Sequence, residues 1–268
     1  MVYGEYLRDP HVFRKILKEE FGITSNDLPS RLVISPLPLD RLLLSIEEVL
    51  KREGIEYKWI KPIDPILGLT RGNLALVMDD EPRYILFIGR GSIEAVDRVW
   101  IIGHSNNVEE VLFIGTAASL KENLKPGSCN IPFYTISIGD PSLTYAGLSS
   151  GLPVADKTLT QRIAKIAREA GCNTVSLLHA SVPYFYIETR KFLQYLSDIG
   201  IFSIDMELAY VLRILDTFKK KAAGILLIED MPLHGIEYMS QNYNNIKDAI
   251  NRVKKEIIPR IILRFLQY

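Results

Sequence analysis

Asp205 and Glu207 flank Met206 in SIDMELAYV (203–211), where a strand should hand over to an apolar helix. Two carboxylates beside a buried helix start are costly to desolvate unless a ligand or the positive end of the helix dipole uses them. Asp230, directly after Glu229, ends the apolar run ILLIED (225–230). A carboxyl group drawn partly out of water holds its proton to higher pH, the property a general acid needs. The same side chain has a plainer use in capping the turn before Pro232. In HASVPYFYIE (179–188), Phe185 stands between Tyr184 and Tyr186. Strict strand alternation would put Phe185 on one face and both tyrosines on the other, so one side needs a use besides the sheet's core.

The elements that must position these residues are legible as alternating patterns. Short apolar runs rich in branched residues predict buried strands at 31–37, 74–78, 83–89, 110–115, 174–180 and 222–229. Helical patterns occupy 40–54, stopped by Gly54, and 156–171, where Asp156 or Thr158 caps, Leu159, Ile163 and Ile166 recur, and Gly171 ends the helix. Further helices are predicted over 188–200 and 206–222. In the last, 244–266, Ile246, Ile250, Val253 and Ile257 form a stripe and Pro259 predicts a kink. Strands alternating with helices imply one three-layer α/β domain over 1–268, with helices on both faces of a mixed, mostly parallel sheet. In such sheets ligands bind beyond the carboxyl ends of the strands. That rule singles out 35–41, 89–92, 115–119, 179–186, 205–207 and 229–234, where polar residues and glycines gather.

Composition removes several classes. Lys plus Arg and Asp plus Glu both number 32, so a net charge of zero gives no support to nucleic-acid or anionic-membrane partners. No stretch approaches the roughly 18 apolar residues of a membrane span. MVYGEYLRDPHVFRK lacks the apolar core of a signal peptide, and a cytoplasmic location is expected. Cys129 and Cys172 match no metal-ligand spacing and fit a reducing compartment. His11, His104, His179 and His234 are scattered, without a zinc-binding pair at helical spacing, so no metal is expected. GRGSIE (89–94) lacks the third glycine of a dinucleotide loop, and no P-loop or Gly-x-Ser-x-Gly is present. Abundant Ile, Lys, Arg and Glu beside few Gln fits a thermophile.

Taken in order, three segments resemble the nucleoside phosphorylase family that includes hexameric purine nucleoside phosphorylase and uridine phosphorylase. VLFIGTAASLKENLKPGSCNIP (111–132) is similar to the family's strand, glycine with serine or threonine, and following hairpin. LPVADKTLTQRIAKIAREAGCNTVSLLHASVPYFY (152–186) is similar to the strand and helix that precede its base-binding aromatic. SIDMELAYV and the later ILLIEDM (225–231) resemble the family's MEAA helix start and SD pair.

The resemblance implies a phosphorylase/hydrolase-like fold in which Glu207 holds the ribose hydroxyls and Met206 lines the sugar. A fixed carboxylate there orients the sugar and strengthens its hold as cationic charge develops on the ribosyl group. Phe185 is implied as the residue stacking on the base, with Tyr184 beside it. Asp230 is implied as the acid that protonates a departing purine, and Glu229 as its neighbour, raising its proton affinity or binding the base's amino group. Arg41, Thr116 and Gly115 take positions of the family's phosphate site.

Three positions depart from that site. Leu37 replaces a glycine, Phe113 an arginine, and Asp64 the arginine lent by a neighbouring subunit. Arg90 and Arg71 are candidates to compensate. IETRK (187–191) lacks the Gln-x-Arg that reads uracil, and Asp230 favours purines. The reading is a purine-preferring nucleoside phosphorylase with phosphate as co-substrate, no cofactor, and a homo-oligomer, expected as a hexamer built as a trimer of dimers. Two alternatives stand: a nucleosidase using water, for which Asp40 is the available base near the first loop, and a non-catalytic nucleoside-binding paralogue. His11 falls in a segment that lends a histidine to the adjacent subunit's sugar site in relatives, and His234 is close to Asp230 in sequence.

Overall fold

The computed structural model describes residues 8–23, 28–37, 40–60, 74–78, 81–139, 152–237 and 240–267. In chain order these form α1 (Pro10–Phe21), β1 (Arg31–Ser35), α2 (Asp40–Glu53), β2 (Lys58–Ile60), β3 (Leu74–Met78), β4 (Glu81–Phe87) and α3 (Ser92–Gly103). Then come β5 (Glu110–Ser119), β6 (Cys129–Asn130), β7 (Thr135–Ser137), α4 (Lys157–Glu169), β8 (Thr174–Val175), β9 (His179–Ser181) and a 3-10 turn, Phe185–Ile187. The last elements are α5 (Arg190–Asp198), β10 (Ser203–Asp205), α6 (Leu208–Thr217), β11 (Lys221–Asp230), a 3-10 turn Pro232–His234, α7 (Gln241–Arg252) and α8 (Ile258–Gln267).

The strands join in one mixed, mostly parallel sheet that curls around β5. The first part of β5 lies between β1 and β11, both parallel to it, and its end pairs with antiparallel β10. Branched apolar side chains point to both faces of this central strand, as burial on two sides requires. One face packs Val33, Leu112, Ile225 and Leu227 against α2, α4, α7 and α8. The other packs Ile34, Val111, Phe113 and Leu226 against α1, α3 and α6. Helices therefore cover both faces, the three-layer arrangement the alternating pattern implies. A smaller cluster, with Ala180, Leu193 and Ile204, backs β9, β10 and α5.

The structure refines three expectations. The run 174–180 is two strands, β8 and β9, rather than one. The strand predicted to stop at 115 continues to Ser119. Before Pro259 the last helix passes through a π-helical turn, Val253–Ile257, in which the N–H of Ile258 reaches the Val253 carbonyl. The wider turn accommodates a residue that has no N–H to donate, so one helical element becomes two. Cys129 and Cys172 are both free buried thiols. Among the described residues no helix is long and apolar enough to cross a membrane.

Candidate active site

The end of β5 organises the site. Ala118 pairs with Asp230 on β11 and with Ile204 on β10, so the two acidic segments approach it from opposite sides. The register of β11 shifts between Ile228 and Asp230. This irregularity re-aims the strand end, a common use of a bulge beside a functional site.

Glu207 sits at the start of α6 with only 5% of its surface exposed. Its Oε1 accepts a hydrogen bond from the Gly91 N–H at 2.7 Å. Gly91 has φ of 84°, a left-handed conformation that a side chain disfavours, and this turns its N–H toward the acid. The same loop is held elsewhere: Ser92 Oγ donates to the Pro183 carbonyl at 3.4 Å, and Arg90 N–H donates to Glu94 Oε2 at 3.3 Å. Arg90 itself is exposed. Burial pushes the Glu207 carboxyl up to about 8, nearby Asp205 pushes the same way, and the Gly91 and Met206 N–H groups and Arg90 partly oppose them.

Glu188 is the acid that reading the sequence missed. It follows the aromatic 3-10 turn, its N–H bonded to the Phe185 carbonyl at 3.0 Å. Burial raises its carboxyl to about 7, with Asp230 and Asp205 adding to the effect. Four acids thus share one region, and burial raises two of them, Glu188 and Glu207, to about 7 and about 8. The sequence signal was slight, a charged residue two positions after three consecutive aromatics.

The other expected residues divide. Met206 is half-buried against the small cluster that also holds Ile187, Phe192 and Leu233. Phe185 and Tyr186 are 66% and 70% exposed, and Tyr184 is exposed too. The alternation expected for this segment does not hold, because it is a 3-10 turn and not a strand. The Tyr184 and Tyr186 rings stack at 5.9 Å with 16° between planes, and Phe185 lies against Tyr186 at 4.6 Å. Glu229, expected beside Asp230, faces the other side of β11 and forms an ion pair with Lys254.

Thr116 is half-buried two residues before Ala118, and Gly115 is buried beside it. A Cβ on Gly115 would lie 2.7 Å from the Phe113 ring, so the glycine leaves room for that ring. Phe113 is fully buried in the core and does not enter the site. Leu37 is half-buried, with its N–H on Ser35 Oγ at 3.2 Å. The side chains of Asp40 and Arg41, and all of Asp64 and Arg71, lie outside the described residues. His234 and His11 are exposed. Among the described residues no group of three His, Cys, Asp or Glu could hold a metal ion.

A buried acid anchored by a glycine loop, a second acid and an exposed aromatic gather at the carboxyl ends of a mostly parallel sheet, where small-molecule sites of such folds form. Comparison with protein families gives this class its family: the model of the phosphorylase superfamily matches residues 31–266, and the chain belongs to that superfamily, the nucleoside phosphorylases and nucleosidases. No curated protein sequence matches the chain. Among solved structures, it is similar to Toxoplasma gondii purine nucleoside phosphorylase in complex with immucillin-H, at 20% identity and TM-score 0.66, covering 90% of this chain and 94% of that one. It is similar to a Helicobacter pylori futalosine hydrolase mutant at 16% identity and TM-score 0.64, covering 88% and 100%. It is also similar to Campylobacter jejuni 5′-methylthioadenosine/S-adenosyl homocysteine nucleosidase at 14% identity and TM-score 0.66, covering 89% and 98%. At these identities the likeness is one of fold.

Proposed function

We propose that the chain cleaves the N-glycosidic bond of a purine nucleoside, transferring the ribosyl group to phosphate to give free base and ribose 1-phosphate. The observation that carries this reading is the approach of Asp230 and the Asp205–Glu207 segment to Ala118 from its two sides. Glu207, fixed by Gly91, binds the ribose hydroxyls, and Met206 lines the sugar. Phe185 and Tyr184 supply exposed aromatic surface for the base. As the bond breaks, its electron pair leaves with the base and Asp230 delivers a proton to the base nitrogen. Charge growing on the ribosyl group is met by the acid cluster, an interaction stronger in the transition state than in the ground state. Phosphate attacks the anomeric carbon from the side of Thr116 and Gly115, with Arg90 and Arg41 as its cations. Tyr134, Leu152 and Val154, exposed near the β7 edge of the sheet, support a homo-oligomer.

One observation favours a second reading, hydrolysis. Phe113, at a position that carries arginine in relatives, is part of the core, so a dianion would lose a charged hydrogen bond of roughly 1.5–3 kcal/mol there. Base release from inosine, adenosine, guanosine, methylthioadenosine and uridine, each with and without phosphate, separates the two. Phosphate-dependent release of a purine supports phosphorolysis. Equal release without phosphate makes water the acceptor, and release from uridine alone removes the purine preference.

A further inference from the structure

Beside Glu207 lies a chain of buried polar groups. It begins at Asn130 on β6, whose amide is oriented by one backbone unit: Oδ1 accepts from the Leu177 N–H at 3.0 Å and Nδ2 donates to the Leu177 carbonyl at 3.1 Å. Nδ2 also donates to Ser203 Oγ at 2.9 Å. His179 bridges the next two groups, with Nδ1 2.8 Å from Ser203 Oγ and Nε2 3.0 Å from Asp205 Oδ1. A carboxylate oxygen accepts, so Nε2 carries the hydrogen in that bond, while Nδ1 faces a hydroxyl that can give or take one.

Asp205 takes two more hydrogen bonds, from Ser181 Oγ to Oδ1 and from the Leu208 N–H to Oδ2 at 3.0 Å. Ser181 Oγ in turn accepts from the Ala209 N–H at 2.8 Å. The chain thus ends on the two amides that follow Glu207, in a first turn where Glu207 itself provides no side-chain cap. Asn130, Ser181, Ser203 and His179 are all fully buried. Packing alone does not explain such a set, since apolar residues of similar volume are often as stable as buried charged pairs.

Resting on the reading that Glu207 binds the ligand, we propose that His179 is a positioning residue: acting through Asp205, it fixes the first turn of α6 and with it the place of Glu207.

The test measures hydrogen exchange of the backbone amides in the full chain. In His179→Phe the Leu208 and Ala209 amides are expected to exchange with solvent about tenfold faster, and in His179→Gln, which keeps an N–H donor, much of the protection returns. Unchanged exchange in His179→Phe overturns it. Should His179→Phe fail to fold, Ser203→Ala replaces it, with about threefold faster exchange expected and no change overturning the proposal. None of these readouts needs turnover. A natural protein that binds no nucleoside would sink the proposed function and leave this inference to be judged by its own measurements.

Discussion

The Gly91 N–H donates to Glu207 Oε1 at 2.7 Å, joining positions 116 residues apart in sequence. The bond unites the loop after β4 with the start of α6, and both helices that follow, α3 and α6, pack on the same face of the sheet. The backbone conformation of one glycine thereby sets the position of the buried acid. Gly91→Ala meets no neighbouring atom, yet its φ of 84° is strained for any side chain. The expected outcome is a loss of roughly 1–2 kcal/mol in denaturant unfolding. A fall in base release larger than that loss of stability explains is expected beside it.

Two protonated acids make stability depend on pH with a definite sign. Glu207 and Glu188 are raised to about 8 and about 7, while in the unfolded chain they titrate near the ordinary 4.5. Between those values the folded state binds more protons, so stability falls as pH rises from about 5 to about 8 and levels beyond. Both acids contribute to the decline between about 5 and about 7 and Glu207 alone above it, so Glu188→Gln is expected to lessen the slope only below about 7, and Glu207→Gln to lessen it there and remove it between about 7 and about 8. Melting temperatures across the range read this directly.

Asp230→Asn keeps the shape of the strand end and removes the proton. Turnover of a natural nucleoside is expected to fall roughly 10²–10⁴-fold. A riboside with a nitrophenolate leaving group, which departs without protonation, is expected to lose far less. Equal losses on both substrates would remove Asp230 from the acid role.

Two phenylalanines separate site from core. Phe185→Ala is expected to leave stability within about 0.5 kcal/mol and to weaken nucleoside binding about three- to tenfold, the worth of an aromatic contact. Phe113→Ala, in the core, is expected to cost about 3–5 kcal/mol in unfolding free energy. Calorimetric titration and denaturant melts on the two variants distinguish these outcomes.

Much of this arrangement is visible in the order of residues, and the parts that are not have physical causes. The branched runs that form β1, β4, β5 and β11 are buried on both faces, so their composition alone marks them. Glu207 and Asp230 stand out because acids at the ends of apolar segments demand a reason. His179, Ser181, Ser203 and Asp205 left a fainter mark: polar residues two apart in HAS and SID, sharing one face of neighbouring parallel strands. Their partnership depends on strand register, which no local pattern carries. Glu188 was hidden because the aromatic run before it reads as a strand while Phe185–Ile187 form a 3-10 turn. The partner of Glu229, Lys254, lies 25 residues further along the chain, and no local pattern announces their pairing.

The central claim is that Glu207 and Asp230 belong to one site that breaks a nucleoside's glycosidic bond. Chromatographic measurement of free purine from inosine and adenosine, with phosphate present, by the natural protein and Glu207→Gln side by side tests it most directly. The account predicts purine release by the natural protein and a loss of roughly 10²–10³-fold in the variant. Release at the same rate by both proteins, or none from a natural protein that still binds the nucleosides, would contradict it.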